Sequence, residues 1–254
     1  MISIFDEYGD YYDLIYSDKK YLAEAKYINN ILKSQSISKG NILEFGSGTG
    51  KHGILLSNFG YKVHGIELSS KMFNIANKLL KKNFSCQQGD ITEVNLNKKF
   101  DAVISLFHVM SYQTTNEKLQ KAFENASRHL KSGGLFVFDF WYSPAVYHLV
   151  PSVRVKRVNK SGQKITRIAE PTIFQNENRI DVKYNIFAQE KKTGYIKNFQ
   201  EIHSLRHFSL PELITLADIN GFKCLKAEEF LTSSFPSENT WGVCIVLKKY
   251  SRYK

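Results

Sequence analysis

Apolar segments alternate with helical periods from residue 22 to residue 142. Short apolar runs typical of buried parallel strands begin at Ile42, Lys62, Phe100 and Leu135, and a shorter third strand ends at the turn 87–90. Before and between the runs, apolar side chains recur at helical spacing, first at Leu22, Ala25, Ile28, Ile31 and Leu32. This order of elements predicts an α/β fold, with a doubly wound, mostly parallel seven-stranded sheet and helices on both faces.

Polar residues mark where several helices begin. Ser69 is placed to cap a helix that runs to Lys82. The segment 114–117 has the spacing of a capping box and opens a helix to about Leu130. A second box at 209–212 opens a helix that ends at Gly221, and two final strands follow at about 222–231 and 241–247.

The hydrophobic period changes after Pro144 from helical spacing to alternation. One strand carries Ile180, Val182, Tyr184, Ile186 and Ala188 on one face, and the segments 159–162 and 192–194 are typical of hairpin turns. We therefore expect residues 1–142 to form a core with an N-terminal lid helix, 143–207 an antiparallel insertion of three or four strands, and 208–254 the closing helix and last strands. The insertion should hang over the carboxyl edge of the sheet, where ligands bind.

A glycine-rich turn follows the first strand. Gly46, Gly48 and Gly50 alternate with small polar residues, so the backbone can come close to a ligand without obstruction by a Cβ atom. A dinucleotide site would place its third glycine one residue later. Glu44, just before the turn, would repel a pyrophosphate and suit an ammonium group.

Glu67 ends the second strand, where a carboxylate can accept both hydroxyls of a ribose. The glycine turn and Glu67 together predict an adenosine that carries cations. S-adenosylmethionine has these features, because it joins adenosine to an α-amino group and a sulfonium.

The composition indicates a basic protein whose cysteines are reduced. The chain has 35 basic and 24 acidic residues, a net charge of +11, and three scattered cysteines without metal-site spacing. We expect a cytoplasmic protein without a membrane span or a metal site, as a monomer or homodimer.

Several segments resemble the class I S-adenosylmethionine-dependent methyltransferases. The segment 44–52 is similar to their motif I, 89–91 to their adenine-contacting segment, and 130–136 to the turn before their fifth strand. The N-terminal segments 11–16 and 21–25, the segment 107–112 and the β insertion resemble the branch of nucleotide-linked amino-sugar N,N-dimethyltransferases. Near Tyr112 that branch carries a histidine implicated in catalysis, and this chain departs from it there.

The resemblance implies that N-terminal tyrosines close over the cofactor and that the insertion encloses the acceptor. The expected cofactor-binding residues are Tyr12, Tyr21, Glu44, Gly46, Ser47, Gly48, Thr49, Gly50, His52, Glu67, Leu68, Met72, Asp90, Ile91, Leu106 and Phe107.

Polar side chains after strands four and five are the candidates for catalysis. His108 is a candidate base or a histidine bonded to backbone beneath the cofactor, and Tyr112 orients the acceptor or packs. Asp139 binds the acceptor or is a turn carboxylate, and Trp141 and Tyr142 follow it. We expect His203 and His207 to be structural.

The insertion is rich in cations, and no acid lies between Asp139 and Glu170. Arg154, Lys156 and, at its far end, Arg206 would favour a small anionic acceptor such as a nucleotide-linked sugar, or they form a solvated basic face. The sequence predicts methyl transfer to an O or N of such an acceptor, in surface-glycan or secondary-metabolite biosynthesis. The alternatives are an RNA methyltransferase that uses the basic insertion, a non-catalytic cofactor-binding partner subunit and a protein methyltransferase.

Overall fold

A seven-stranded sheet forms the centre of the protein, whose computed structural model describes residues 4–250. Its strands, in the order β10-β11-β5-β4-β1-β2-β3, are parallel except for β11, which runs antiparallel to both neighbours. The predicted fold class is confirmed. The strand bounds are β1 Asn41–Phe45, β2 Lys62–Glu67, β3 Phe84–Gln88, β4 Phe100–Ser105, β5 Leu130–Trp141, β10 Phe222–Glu229 and β11 Gly242–Lys249.

Seven α-helices accompany the strands in the described part of the chain. Apolar side chains of the helices pack on both faces of the sheet, with Phe123 and Leu213 on one face and Ile28 and Leu56 on the other. The helices are α1 Glu7–Ile15, α2 Tyr21–Ser34, α3 Lys51–Asn58, α4 Ser70–Asn77, α5 Asn116–His129, α6 Ser143–Leu149 and α7 Leu210–Ile219, with short 3₁₀ turns at Val109–Tyr112 and Gln175–Glu177.

The capping residues explain where three helices start. Ser69 and Ser209 accept hydrogen bonds from the backbone N–H of Met72 and Glu212, as expected. In α5 the cap is Thr115, one residue later than the predicted box, and it accepts from Lys118. Helix α4 ends at Asn77, five residues before the predicted Lys82, and α6 was not predicted.

A second sheet of four antiparallel strands, in the order β6-β7-β8-β9, contains Arg154–Lys160, Gln163–Phe174, Arg179–Glu190 and Ile196–Arg206. The turn between β6 and β7 has positive φ at Ser161 and Gly162, which suits a two-residue hairpin. The alternating residues of β8 face inward, with Ile180 and Ile186 fully buried. The ends of the expected first and last units, 1–3 and 251–254, lie outside the described residues.

The sheet order creates a crevice at the carboxyl ends of β1 and β4. The chain proceeds from β1 outward to β2 and β3, and then returns to the other side of β1 to form β4. Such a reversal leaves room for a ligand between the connections on either side. Helix α1 and the second sheet lie over this crevice, since both contribute side chains to the same cavity wall as the β1 turn.

Candidate active site

The turn after β1 adopts a backbone that only glycine accommodates easily. Gly46, Gly48 and Gly50 have φ of 66°, 56° and 81°. A Cβ at Gly46 would lie 2.5 Å from Val109, and one at Gly50 would lie 2.8 Å from Phe84. A Cβ at Gly48 would have only Met72 within 4 Å, at 4.0 Å. Gly48 lines the cavity, so the added atom would occupy ligand space.

Glu67 is fixed beside this turn at the end of β2. Its two carboxylate oxygens accept backbone N–H bonds from Gly48 at 2.7 Å and from Ser69 at 2.8 Å. Burial raises the pKa of Glu67, although these backbone bonds oppose the shift. The carboxylate lines the cavity with Leu68, in a position to accept hydroxyl groups.

Glu44 lies beneath the turn and does not line the cavity, contrary to the expectation that it faces an ammonium group. It is almost completely buried, and its Oε2 lacks a hydrogen-bond partner among the described residues. Burial, reinforced by the nearby charge of Glu67, raises the pKa of Glu44 to about 8. Gly50 also lies outside the cavity wall, because it packs against Phe84.

Charged side chains tie α1 and α2 to the glycine turn. His52 Nε2 lies 2.6 Å from a carboxylate oxygen of Glu24, which also pairs with Lys19. Burial lowers the pKa of His52 against the opposing effect of Glu24. Asp13 of α1 accepts from the hydroxyl of Thr49 at 3.0 Å and pairs with Lys51 at 2.8 Å. These contacts hold both N-terminal helices over the cofactor end of the cavity.

His108 and Asp139 form a pair at the carboxyl ends of β4 and β5. Asp139 is fully buried, and its Oδ2 lies 2.8 Å from Nδ1 of His108. The same carboxylate accepts the backbone N–H of Phe107 at 2.6 Å and of His108 at 3.2 Å. Phe107 and His108 both have positive φ, so these bonds stabilise a backbone that bulky residues rarely adopt.

The charge of Asp139 is retained despite its burial. Burial alone would raise the pKa of Asp139, but its electrostatic interaction with His108 and its hydrogen bonds to that residue outweigh burial and lower the pKa below its usual value. Asp139 does not line the cavity, whereas His108 does. Since Nδ1 is buried against Asp139, Nε2 is the nitrogen of His108 that is available to a ligand.

Tyr112 is bonded to a second histidine. Its hydroxyl lies 2.9 Å from Nδ1 of His203 on β9, and Nε2 of His203 lies 3.1 Å from Oε2 of Glu201. Burial raises the pKa of Tyr112 well above the usual value. Tyr112 and His203 both line the cavity.

One cavity of about 420 Å³ brings most of the predicted residues together. Its walls include the expected residues Tyr12, Tyr21, Gly46, Ser47, Gly48, Thr49, His52, Glu67, Leu68, Met72, Asp90, Ile91, Leu106, Phe107, His108, Tyr112 and Trp141.

Four residues expected to bind the acceptor lie elsewhere. Arg154 is exposed at the start of β6, and Lys156 pairs with Asp18 at 2.6 Å. Arg206 pairs with Glu212 at 2.6 Å and donates to Asn116. Tyr142 packs against the core beside Phe140. These residues were not placed correctly because an alternating strand pattern does not say which face meets a cavity.

Other cavity residues were not predicted. The insertion contributes Tyr184, His203 and Leu205, α1 contributes Tyr8, and Tyr16 follows the end of α1. Alternation along β9 contains a signal for His203, because Glu201, His203 and Leu205 share one buried face. Further unpredicted wall residues are Ile4, Phe5, Lys51, Ser69, Val109, Gln113, Lys118 and Trp241.

The cavity fits S-adenosylmethionine at its glycine-turn end. Gly48 leaves a space that a side chain would fill, Glu67 presents a carboxylate, and the buried Oγ of Ser47 lacks a hydrogen-bond partner among the described residues. Tyr12, Tyr21 and His52 provide aromatic surface for a sulfonium. Within residues 4–250, no group of three or more His, Cys, Asp or Glu side chains could hold a metal ion.

Comparison with known proteins agrees with this geometry. A family model described as a methyltransferase domain matches residues 42–134. A dTDP-3-amino-3,4,6-trideoxy-α-D-glucopyranose N,N-dimethyltransferase from Streptomyces venezuelae is 30% identical over 215 residues, which cover 83% of this chain and 84% of the relative. The chain belongs to the S-adenosylmethionine-dependent methyltransferases. The predicted cofactor and enzyme class are thereby confirmed.

Two further matches extend over most of the methyltransferase. A dTDP-4-amino-2,3,4,6-tetradeoxy-D-glucose N,N-dimethyltransferase from Saccharopolyspora spinosa is 26% identical and covers 85% of this chain and 86% of its own. The crystal structure of the sugar N-methyltransferase KedS8 from a Streptoalloteichus species superposes with a TM-score of 0.81 at 23% identity, over 94% and 93% of the two chains. No helix within residues 4–250 is both long and apolar enough to cross a membrane.

Proposed function

We propose that this methyltransferase transfers a methyl group to the amino nitrogen of a small nucleotide-linked amino sugar. Two relatives that align over most of the chain are named as N,N-dimethyltransferases of dTDP-linked amino sugars. These relatives favour sugar methylation over the alternative of RNA methylation.

The observation that carries the proposal is the composition of one cavity wall. The glycine turn and Glu67 line a chamber of about 420 Å³ together with Tyr184, His203 and Leu205 of the insertion. A cofactor at the glycine turn and a small acceptor under the insertion would therefore share one enclosed space. Holding two reactants in this way supplies about 7–11 kcal/mol of a reaction barrier.

His108 is suited to take a proton from the amine. Bound S-adenosylmethionine supplies an activated methyl group, and the acceptor nitrogen needs a free lone pair to attack it. An alkylammonium has a pKa of about 10, so an amine bound at neutral pH must lose a proton. Nε2 of His108 is available in the cavity, and the buried carboxylate of Asp139 stabilises the charge that the ring would gain.

Lys118 is a candidate contact for the phosphates of the acceptor. It is exposed at the cavity wall, at the start of α5, whereas Arg154, Lys156 and Arg206 lie outside that wall. We infer an enzyme of the cytoplasm that acts in surface-glycan or secondary-metabolite biosynthesis. The three cysteines, all unpaired, support a reducing compartment.

Incubation with S-adenosylmethionine and dTDP-3-amino-3,4,6-trideoxy-α-D-glucopyranose tests the proposal directly. Mass spectrometry should detect the addition of one or two methyl groups to the sugar nitrogen. A parallel reaction with methyl-labelled cofactor contains total RNA instead of the sugar. Label in RNA, with the sugar unchanged, would contradict the proposal.

A further inference from the structure

Three hydrogen-bonded side chains join the 3₁₀ turn after β4 to β9 of the insertion at the cavity wall. The hydroxyl of Tyr112 lies 2.9 Å from Nδ1 of His203, whose Nε2 lies 3.1 Å from Glu201. His203 and Glu201 are 1% and 5% exposed, so water does not compete for these bonds. No other hydrogen-bond partner of the Tyr112 hydroxyl occurs among residues 4–250.

Glu201 places a hydrogen on Nε2 of His203, and in a neutral ring this sets the direction of the bond to Tyr112. Burial would raise the pKa of Glu201, but bonds from His203 and from the backbone N–H of Tyr8 and Phe5 outweigh it and lower the pKa. An ionised carboxylate only accepts, so Nε2 of His203 carries the hydrogen that faces it. In the neutral ring Nδ1 is then an acceptor, and the hydroxyl of Tyr112 must donate to it.

The other side chains packed around His203 do not compete with Tyr112 for its Nδ1. The rings of Phe5, Tyr8 and Tyr184 pack against the imidazole at centroid distances of 4.7, 5.6 and 4.9 Å. The hydroxyl of Tyr8 is bonded to Tyr16 and to Arg167, the cation behind this cluster. Tyr112 is thus the side chain whose hydroxyl meets Nδ1.

We propose that His203, held by Glu201, is a positioning residue that takes the hydroxyl hydrogen of Tyr112, so that Tyr112 presents only oxygen lone pairs to the acceptor amine. The inference rests on the proposed function and adds a specificity element to it. A tyrosine without this partner could turn its hydrogen toward the amine and bond to the lone pair that must attack the methyl group.

The geometry of an amine explains why a second acceptor is useful. A neutral primary amine has one lone pair and two N–H bonds. Nε2 of His108 carries the proton that it has taken from the ammonium and no longer accepts, so the oxygen of Tyr112 is the acceptor left for one of the two N–H bonds, and this bond helps to turn the lone pair toward the methyl group. His203 and Glu201 therefore control orientation without touching the substrate.

A matched pair of substitutions tests this role. His203→Asn places an amide oxygen near the position of Nδ1, whereas His203→Leu has a similar size and no acceptor. With the dTDP-linked amino sugar as substrate, kcat/KM should fall about 10- to 100-fold in His203→Leu, as for the loss of one strong hydrogen bond, and only a few-fold in His203→Asn.

The same two substitutions of His203, made in a Tyr112→Phe background, show whether their effect depends on the hydroxyl of Tyr112. If His203 acts through Tyr112, the Asn and Leu variants should then have equal kcat/KM, because the coupling is lost. Equal activity of the two variants with Tyr112 intact would overturn the proposal. Binding of S-adenosylhomocysteine should match the wild type in every variant, which separates the effect from misfolding.

A spectroscopic measurement tests the proposal without any acceptor. Nitrogen NMR of histidine-labelled enzyme, with S-adenosylhomocysteine bound, should find His203 with its hydrogen on Nε2, and Tyr112→Phe should shift the Nδ1 signal. A hydrogen on Nδ1 would refute the inference. If the wild type leaves the sugar unmethylated, the proposed substrate fails, and the tautomer still decides the role of His203.

Discussion

Two buried carboxylates orient two of the three histidines in the cavity wall. Asp139 lies against His108 and Glu201 against His203, and in both carboxylates bonds to histidine and backbone outweigh burial and lower the pKa. A lowered pKa means that each carboxylate stabilises the fold above the usual pKa of its residue type, about 4. This stabilisation is lost as the pH falls through the folded pKa, so acid should loosen the site.

Replacement of His108 by alanine should slow transfer to an amine. Without the base, the acceptor stays protonated at neutral pH, and kcat should fall about 10²-fold. The loss should shrink as the pH approaches about 10, where the amine is neutral in solution. Rate measurements from pH 6 to 10 would check this expectation, and a loss independent of pH would contradict it.

Replacement of Gly48 by valine should abolish cofactor binding. The new side chain would enter the cavity beside Met72, and the φ of 56° adds strain. Calorimetry with S-adenosylhomocysteine measures the effect. Gly162→Val is the matched control, because Gly162 has a φ of 76° in a hairpin with open space around it. Wild-type affinity in Gly48→Val would contradict the assignment of the turn.

The residues that could be predicted from the sequence are glycines that a tight turn requires and an acid that ends a strand. Gly46, Gly48 and Glu67 belong to this group, since each follows directly from a strand–turn–helix pattern. Glu44 was misplaced because it belongs to β1, two residues before Gly46, and is buried beneath the turn. His203 was expected to be structural, and its place in the cavity wall was not predicted, because its partner Tyr112 is 91 residues away along the chain.

Helix α1 is held over the cavity by contacts at both ends. At its start, Glu201 of the insertion accepts the backbone N–H of Phe5 and Tyr8, and at its end Asp13 bonds to Thr49 and Lys51. A carboxylate at a helix N-terminus also has a favourable interaction with the helix dipole. The helix thus depends on both the insertion and the glycine turn for its position.

Replacement of Glu201 by alanine should release α1. Amide hydrogen exchange should become faster in residues 7–15, and S-adenosylhomocysteine should bind more weakly, because the tyrosines of α1 line its cavity. Glu190→Ala is the control, since Glu190 bonds to Thr193 in a hairpin. If exchange in α1 is unchanged in the Glu201 variant, this carboxylate does not hold the helix.

Helices and strands with a clear period were predicted more accurately than short or irregular ones. The capping signal of α5 was shifted by one residue because Thr114 and Thr115 are adjacent and either can cap. Helix α6 has seven residues and begins with Ser143 and Pro144, which also suit a loop. The four-stranded insertion followed from alternation and from its hairpin turns.

The positive charge of the whole molecule lies largely apart from its cavity. Of the wall residues, only Lys51 and Lys118 are lysines and none is arginine, although the chain has 35 basic residues. Several cations of the insertion are paired instead, as with Lys156 and Asp18. Net charge predicts the field around a protein, and it does not locate a binding site.

A comparison of Lys118→Ala with Arg154→Ala tests whether the phosphates of the acceptor bind at the cavity wall or on the insertion. Loss of Lys118 should raise KM for the nucleotide-linked sugar several-fold, because a phosphate would lose a charged partner. Loss of Arg154 should change KM less than about twofold, since an exposed charge outside the cavity contributes little. Steady-state kinetics at constant ionic strength would measure both, and a larger effect at Arg154 would place the phosphates on the insertion.

The position of α1 has a consequence for the order of events in catalysis. Tyr12 of α1 and Tyr16 just after it line the same chamber that would hold both reactants, so we expect α1 to move aside and open the chamber when spent cofactor leaves. Each opening also exposes the acceptor to solvent. For an enzyme that adds two methyl groups, we expect the singly methylated sugar to escape between rounds and to accumulate in solution before the doubly methylated product.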